Sequence, residues 1–293
     1  MHIRAQWIAL LGTLIVLGLG YWQATAISAL TQAAQPGNVP PVDEVEALAF
    51  IEAITAPQDC LITDDMPLAY WSNRPVPPEL AEVSSNRLVS GVLTTEQLVS
   101  LTDRYDCQVV AAVANRIPKH LPDYMDWVKG EYLGMFHYAE DDIFFAKRHT
   151  DPMPASPLWA KFGASSGDKI IFHGSTLSAA AVKPGGRIAL TLVWQAQTAI
   201  QTDYSIFVQV RNAAGATVIS ADHSPYLGLL PTSRWPAGAV VQETTWLDVP
   251  ADLPPDHYPI YIGLYRPDTL ERLPLLDDTS GEHALIMGPL VVE

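Results

Sequence analysis

Two adjacent carboxylates, Asp64 and Asp65, directly follow the short apolar run Cys60-Leu-Ile-Thr63, and three arginines, Arg74, Arg87 and Arg116, each follow an asparagine. In open α/β sheets the carboxyl ends of strands are where ligands bind. A carboxylate pair at such an edge has two chemistries open to it, holding a divalent cation or sharing a proton as an acid/base pair. The pair also suits helix capping, because Asp65 stands before Met66-Pro67, an N-cap position with proline in the first turn. Arg116 lies just past the apolar run Cys107-Gln-Val-Val-Ala-Ala-Val113, which places it on the same expected edge as Asp64. The planar guanidinium of each arginine suits a phosphate or carboxylate group, and pairing with the chain's own acids would satisfy it equally.

Aromatic residues offer a second chemistry, stacking on sugar rings. Trp235, Trp246, Tyr226 and Tyr265 could do so if they line one sandwich face or its loops, although core is the more economical reading of sandwich aromatics; Trp194 reads as core, and Trp235, in the loop Pro231-Thr-Ser-Arg-Trp-Pro236, is the one candidate to test. Gly163-Ala-Ser-Ser-Gly167 matches the nucleophile-elbow pattern around Ser165. That motif needs a strand before and a helix after, and here a linker precedes and the strand-like Lys169-Ile-Ile-Phe172 follows, so a Gly/Ser turn explains it. The 8 histidines show no zinc-ligand spacing, there is no cysteine cluster, and no phosphate-cradling or dinucleotide glycine pattern occurs. The sequence therefore assigns no catalytic residue, metal or cofactor.

Proline-rich stretches divide the elements that must position these residues. Pro36, Pro40 and Pro41 mark residues 31–42 as a stalk, and three prolines between His149 and Pro157 mark residues 150–157 as a linker. Residues 43–149 alternate helical and strand patterns. Asp43-Glu44 open a helix carrying Ala47, Leu48, Ile51 and Ile54. Thr94-Thr-Glu-Gln97 is a capping box ahead of Leu98, Leu101 and Tyr105, and Pro122-Asp123 begin a helix with Tyr124, Trp127 and Val128. With strands at residues 60–63, 107–113 and 143–146, this reads as a small α/β sandwich with a mostly parallel sheet. Cys60 and Cys107 each open a strand. If those strands are parallel neighbours both sulfurs lie at one sheet edge, so a disulfide and two free thiols both remain open.

Residues 158–293 change to period two. Ile188, Leu190, Leu192 and Trp194 share one face, as do Tyr204, Ile206, Val208 and Val210, and Tyr258-Pro-Ile-Tyr-Ile-Gly-Leu-Tyr265 repeats the rhythm. Turn clusters at residues 184–186, 213–215, 236–238 and 254–256 complete an antiparallel β-sandwich of about seven or eight strands, Ig-like in kind. Pro259 within a strand argues for an edge position.

At the N-terminus no charged side chain occurs between Arg4 and Asp43, and residues 7–22 are apolar almost throughout. As a helix rising about 1.5 Å per residue, residues 7–30 would cross a hydrocarbon core of about 30 Å, with Trp7, Tyr21 and Trp22 at the interfaces. Arg4 ahead of the span keeps the N-terminus cytoplasmic and sends the rest across. A cleaved signal peptide ending near Ala24-Thr25-Ala26 is the alternative, and both readings export the bulk of the chain. The expected location is the cell membrane, with one span at residues 1–30 and membrane lipid as its partner. A net charge of −15 excludes nucleic acid as a natural partner, since phosphate binding needs clustered Lys and Arg.

The runs Asp64-Asp-Met-Pro-Leu-Ala-Tyr70, Asn73-Arg-Pro-Val-Pro-Pro-Glu-Leu80 and Ser84-Ser-Asn-Arg-Leu-Val-Ser-Gly91 resemble the soluble C-terminal region of bacterial lipid-carrier-dependent membrane glycosyltransferases, the protein-mannosyltransferase-like class. Leu190-Thr-Leu-Val-Trp-Gln195, Tyr204-Ser-Ile-Phe-Val-Gln209, Pro231-Thr-Ser-Arg-Trp-Pro236, Gly263-Leu-Tyr265 and Glu271-Arg-Leu-Pro274 resemble a β-sandwich appended to such proteins. That family's catalysis resides in a multi-span membrane part, so the resemblance carries no catalytic residue onto this chain. It implies an accessory version of the soluble part, or a fragment of a larger transferase, with a glycan, a polyprenyl-phosphate-linked sugar or a membrane glycosyltransferase as partner. The resulting expectation is an α+β multidomain chain serving, without catalysis of its own, in cell-surface glycan or glycolipid assembly. The competing expectation is an enzyme acting through Asp64, Asp65 and Arg116.

Overall fold

The computed structural model describes residues 45–149, 160–163 and 167–293. The apolar segment, the stalk and the linker at 150–157 lie outside the described residues, as do Asp43, Glu44 and Ser165. Among the described residues no helix is long and apolar enough to cross a membrane. Residues 46–293 form one compact unit.

The first part runs α1 (Val45–Ile54), β1 (Leu61–Thr63), α2 (Met66–Ser72), α3 (Ser85–Val89), α4 (Thr95–Arg104), β2 (Val109–Ala111), α5 (Arg116–His120), α6 (Pro122–Glu131), β3 (Tyr132–Tyr138) and β4 (Asp141–Lys147). Its sheet has the order β1-β2-β4-β3. Only β1 and β2 are parallel, with Leu61 opposite Val109 and Thr63 opposite Ala111, whereas β2–β4 and β3–β4 are antiparallel. This corrects the mostly parallel sheet expected from the sequence. The cause is β3, which the pattern of α6 had hidden. It follows that helix without a break and turns at Ala139-Glu140 into β4, and so short a connection can only join antiparallel strands. Ala139 takes φ 52° in that turn.

Alternation along these strands divides two cores. Ile62, Val110 and Phe144 face a layer of helices and pack with Leu98, Leu101, Ile117, Tyr124 and Val128. Leu61, Val109, Ala111, Ile143 and Phe145 face the other way, into a cluster that continues through the second part of the chain. Each such side chain taken fully from water contributes about 1.5–3 kcal/mol. The capping box forms as read: Thr94 Oγ1 accepts from the Gln97 N–H at 3.3 Å and Gln97 Oε1 accepts from the Thr94 N–H at 2.9 Å. Leu98 and Leu101 are buried, but Tyr105, placed on the same stripe, ends the helix and is 39 % exposed. Gly134 lies opposite Phe145, whose ring occupies the space a Cβ would need, 2.1 Å away.

The second part is a sandwich of two antiparallel four-stranded sheets. One has the order β10 (Val240–Asp248), β7 (Arg187–Ala196), β6 (Lys169–Leu177), β5 (Ala160–Gly163); the other β12 (Leu285–Val292), β11 (Asp256–Tyr265), β8 (Ser205–Arg211), β9 (Thr217–Ser220). The alternating residues of β7 and β8 that the sequence set inward are all in the core, Trp194 among the most deeply buried. Pro259 does not lie on an edge strand, because β11 pairs with both β12 and β8. It is tolerated because β8 pairing starts only at Ile260, and a bulge between Pro259 and Ile260 shifts the register against β12.

Candidate functional site

The parallel register that sets Thr63 beside Ala111 carries Asp64 to the turn after β2. There its carboxylate is 1 % exposed and fully engaged. Oδ1 accepts the Ala114 N–H at 2.9 Å, and Oδ2 accepts the N–H groups of Arg116 at 2.7 Å and Ile117 at 2.9 Å. Arg116 donates from its guanidinium to the Asp64 carbonyl oxygen. Asp64 thus satisfies the first amides of α5, a helix more than fifty residues away in sequence, where negative charge is favoured. Asn115 enters that helix in left-handed backbone, φ 54°. Asp65 occupies the extended N-cap position of α2, with Pro67 in the first turn. Burial and the neighbouring Asp64 charge raise its carboxyl above the usual carboxylate range, against the Leu68 N–H and Arg116.

The other candidates are placed as follows. Arg74 is buried and spans the gap to α1, with Nε donating to Thr55 Oγ1 at 2.7 Å, Nη1 to the Ser72 carbonyl at 2.6 Å and Nη2 to the Thr55 carbonyl at 3.0 Å. Arg87 donates to the carbonyls of Glu79 and Glu82 and lines a hollow of about 400 Å³ with Leu93, Glu96, Gln97 and Arg104. The structure does not bring these arginines to the Asp64 edge. Trp235 is 2 % exposed, with its indole N–H donating to the Leu230 carbonyl at 3.1 Å, so it offers no free ring face to a sugar. Trp246 donates to the Glu52 carbonyl at 2.9 Å beneath the Arg187 guanidinium.

Cys60 and Cys107 are joined in a disulfide. The Gly163–Gly167 stretch connects two antiparallel strands, β5 and β6, rather than a strand and a helix. No group of three or more His, Cys, Asp or Glu residues among those described is arranged to hold a metal ion. A second hollow of about 420 Å³, lined by Ala112, Asn115, Lys129, Asp141 and Asp142, lies near the Asp64 edge, but Asp64, Asp65 and Arg116 are not in its lining.

Sequence reasoning missed a surface on the outward face of the second sandwich sheet. Inward Ile206, Val208 and Val210 alternate with Phe207, Gln209 and Arg211 on β8, and inward Ile260, Ile262 and Leu264 alternate with Tyr261, Gly263 and Tyr265 on β11. Gly263 lies opposite Phe207, and a Cβ there would come within 2.5 Å of the Phe207 ring, so glycine lets the ring lie flat across the sheet. The Arg211 guanidinium stacks over Tyr261 at 4.2 Å and that of Arg272 over Phe207 at 4.3 Å. Glu282 joins them, accepting from Arg211 at 2.8 and 3.0 Å and from Arg272 at 3.3 Å. The Arg211 bond holds the Glu282 carboxyl below its ordinary range. The signal was the complement of the alternation used to find the core, since the polar and aromatic residues between the inward ones cluster once strands pair.

Comparison with known proteins adds little to this geometry. No family model and no curated protein matches the sequence. Among solved structures, a Niemann-Pick type C2 protein from the Japanese carpenter ant is similar at a TM-score of 0.28 and 6% identity, covering 42% of this chain and 91% of that one. The C-terminal domain of wzt is similar at a TM-score of 0.31 and 15% identity, covering 50% of this chain and 83% of that domain. Likeness at this level carries no argument about ligand or reaction.

Proposed function

We propose that this chain is an extracytoplasmic binding module, held at the membrane by its N-terminal apolar segment, that serves cell-surface glycan or glycolipid assembly without catalysis of its own. The observation that carries this reading is the engagement of Asp64. Its Oδ1 receives the Ala114 N–H of the turn after β2 and its Oδ2 the first two N–H groups of α5, so the residue best suited by sequence to acid/base or metal work is committed to holding the fold. The Cys60–Cys107 disulfide supports an oxidising compartment, where such bonds persist. A second reading, the soluble part of a larger lipid-linked-sugar transferase, is favoured by the runs around Asp64, Asn73 and Ser84.

Two measurements test the proposal. Alkaline phosphatase fused after Glu293 should be active and a fluorescent-protein fusion dark; the reverse pattern ends the extracytoplasmic reading. The full chain, purified in a detergent without a sugar headgroup, should retain glycans on an array of cell-surface oligosaccharides. A blank array removes the glycan part of the reading.

A further inference from the structure

The outward face of the second sandwich sheet holds a concavity of about 190 Å³ lined by Phe207, Gln209, Asp222, Tyr265, Leu270 and Arg272. We propose that it is a subsite for a single neutral hexose ring. The inference rests on the glycan-binding reading above and gives it a location and a ligand class.

Three observations carry it. First, the hollow combines aromatic surface with a few planar polar groups, the composition that orients a small polar ring with one C–H face. Tyr265 supplies the one partly exposed ring, Phe207 lies 6.5 Å from it between centroids as a floor, 1 % exposed beneath the Arg272 guanidinium, and Leu270 supplies apolar rim. Leu270 is 73 % exposed and held at φ 61°, a backbone region that bulky side chains rarely adopt.

Second, hydrogen-bonding capacity is left over. Asp222 Oδ1 accepts from the Val208 N–H and the Ser220 hydroxyl, both at 3.2 Å, and Oδ2 has no hydrogen-bond partner among the described residues. Gln209 Oε1 accepts from Arg211 at 2.8 Å, and its amide N–H groups have no partner among the described residues. An acceptor on Asp222 and a donor on Gln209 can take neighbouring hydroxyls of one sugar, one as donor and one as acceptor. Arg272 bonds to Glu282 through Nη1, and with no partner for Nε and Nη2 among the described residues these remain for a ring or hydroxyl oxygen.

Third, the charges cancel. Glu282 pairs with both Arg211 and Arg272, and Asp222 adds a second carboxylate to the lining, so a phosphorylated or carboxylated sugar meets no net positive charge. The volume holds one ring, with the rest of a glycan extending along the sheet into solvent.

Saturation-transfer NMR on the full chain tests this, in a zwitterionic detergent, with the methyl glycosides of glucose, galactose and mannose and methyl glucuronide as the charged control. At least one neutral glycoside should bind saturably with a Kd on the order of millimolar. Asp222→Asn, which keeps an acceptor for Val208, and Tyr265→Ala should each weaken it about tenfold or more while leaving the far-ultraviolet circular dichroism and the cooperativity of unfolding unchanged. Saturable binding indifferent to both variants overturns the site while leaving the broader reading standing. Preference for the glucuronide overturns the neutral assignment. No binding of any glycoside across the millimolar range, with the array positive, likewise rejects the subsite alone; with the array blank as well, both inferences fall.

Discussion

Raising the pH should loosen the junction between the two sandwich sheets at one residue, His223. It lies just past β9, and its Nδ1–H donates to the Ala221 carbonyl at 2.8 Å while its Nε2–H faces both oxygens of Glu243 on β10 at 3.0 and 3.1 Å. Glu243 is 2 % exposed. Burial alone would depress the imidazole, but the Glu243 charge and hydrogen bond, with the Ala221 carbonyl and Asp222, outweigh it and raise His223 to about 9 from 6.5. Because the folded value lies above the unfolded one, this stability is fully present below 6.5 and is lost as pH rises through 9. The distance from 6.5 to about 9, at about 1.36 kcal/mol per tenfold change in proton affinity, gives a loss on the order of 3 kcal/mol. Urea unfolding from about pH 6 to about pH 9.5, for the wild type and His223→Gln, measures it, since titrations common to both cancel in the difference. The wild-type advantage should shrink by that amount across the window. Parallel curves, or an imidazole proton signal that titrates near 6.5, would refute the reasoning.

Other expectations follow from single contacts. Asp64→Ala strands three N–H groups, that of Ala114 in the turn and those of Arg116 and Ile117 at the start of α5, and should cost about 3 kcal/mol or more in chemical denaturation; an unchanged midpoint would return Asp64 to the candidates for chemistry. Replacing Cys60 and Cys107 together by alanine opens a loop spanning 47 residues and should lower unfolding free energy by about 4 kcal/mol on the chain-entropy argument. Gly263→Ala places a Cβ 2.5 Å from the Phe207 ring and 2.9 Å from the His283 carbonyl oxygen, so calorimetry should show a loss of about 1–3 kcal/mol. A neutral result there would mean that the ring moves freely aside.

What was legible in the chain was local and periodic. The inward residues of β7 and β8, the capping box at Thr94 and the core position of Trp194 all follow from spacing and side-chain type. The strand β3 was hidden because Tyr132 continues α6 without punctuation, so its neighbours' helical rhythm overrode its own. Asp64 was placed at the right edge, but its duty depends on a register between strands far apart in sequence. A pattern within ten residues cannot report that α5 lacks acceptors of its own. Trp235 was misread for a related reason: a Pro/Gly-rich loop looks exposed until its fold turns the indole inward toward Leu230. The outward residues Phe207, Tyr261 and Tyr265, with Phe207 buried beneath Arg272 and the two tyrosines partly exposed, were present in the alternation as the discarded half, and only pairing of β8 with β11 brings them together.

The sandwich-facing side of the first sheet ends in Phe145, whose ring meets Tyr226 at a centroid distance of 4.8 Å, while Tyr226 donates to the Gln242 carbonyl. His149 pairs with Val240, continuing the contact along β10. Such a seam makes the halves poor candidates for shuffling as independent cassettes, since either one transplanted alone would carry a bare greasy flank into solvent. A protease that nicked the connecting stretch would leave two fragments still clasped, migrating as one particle until denaturant pried them apart.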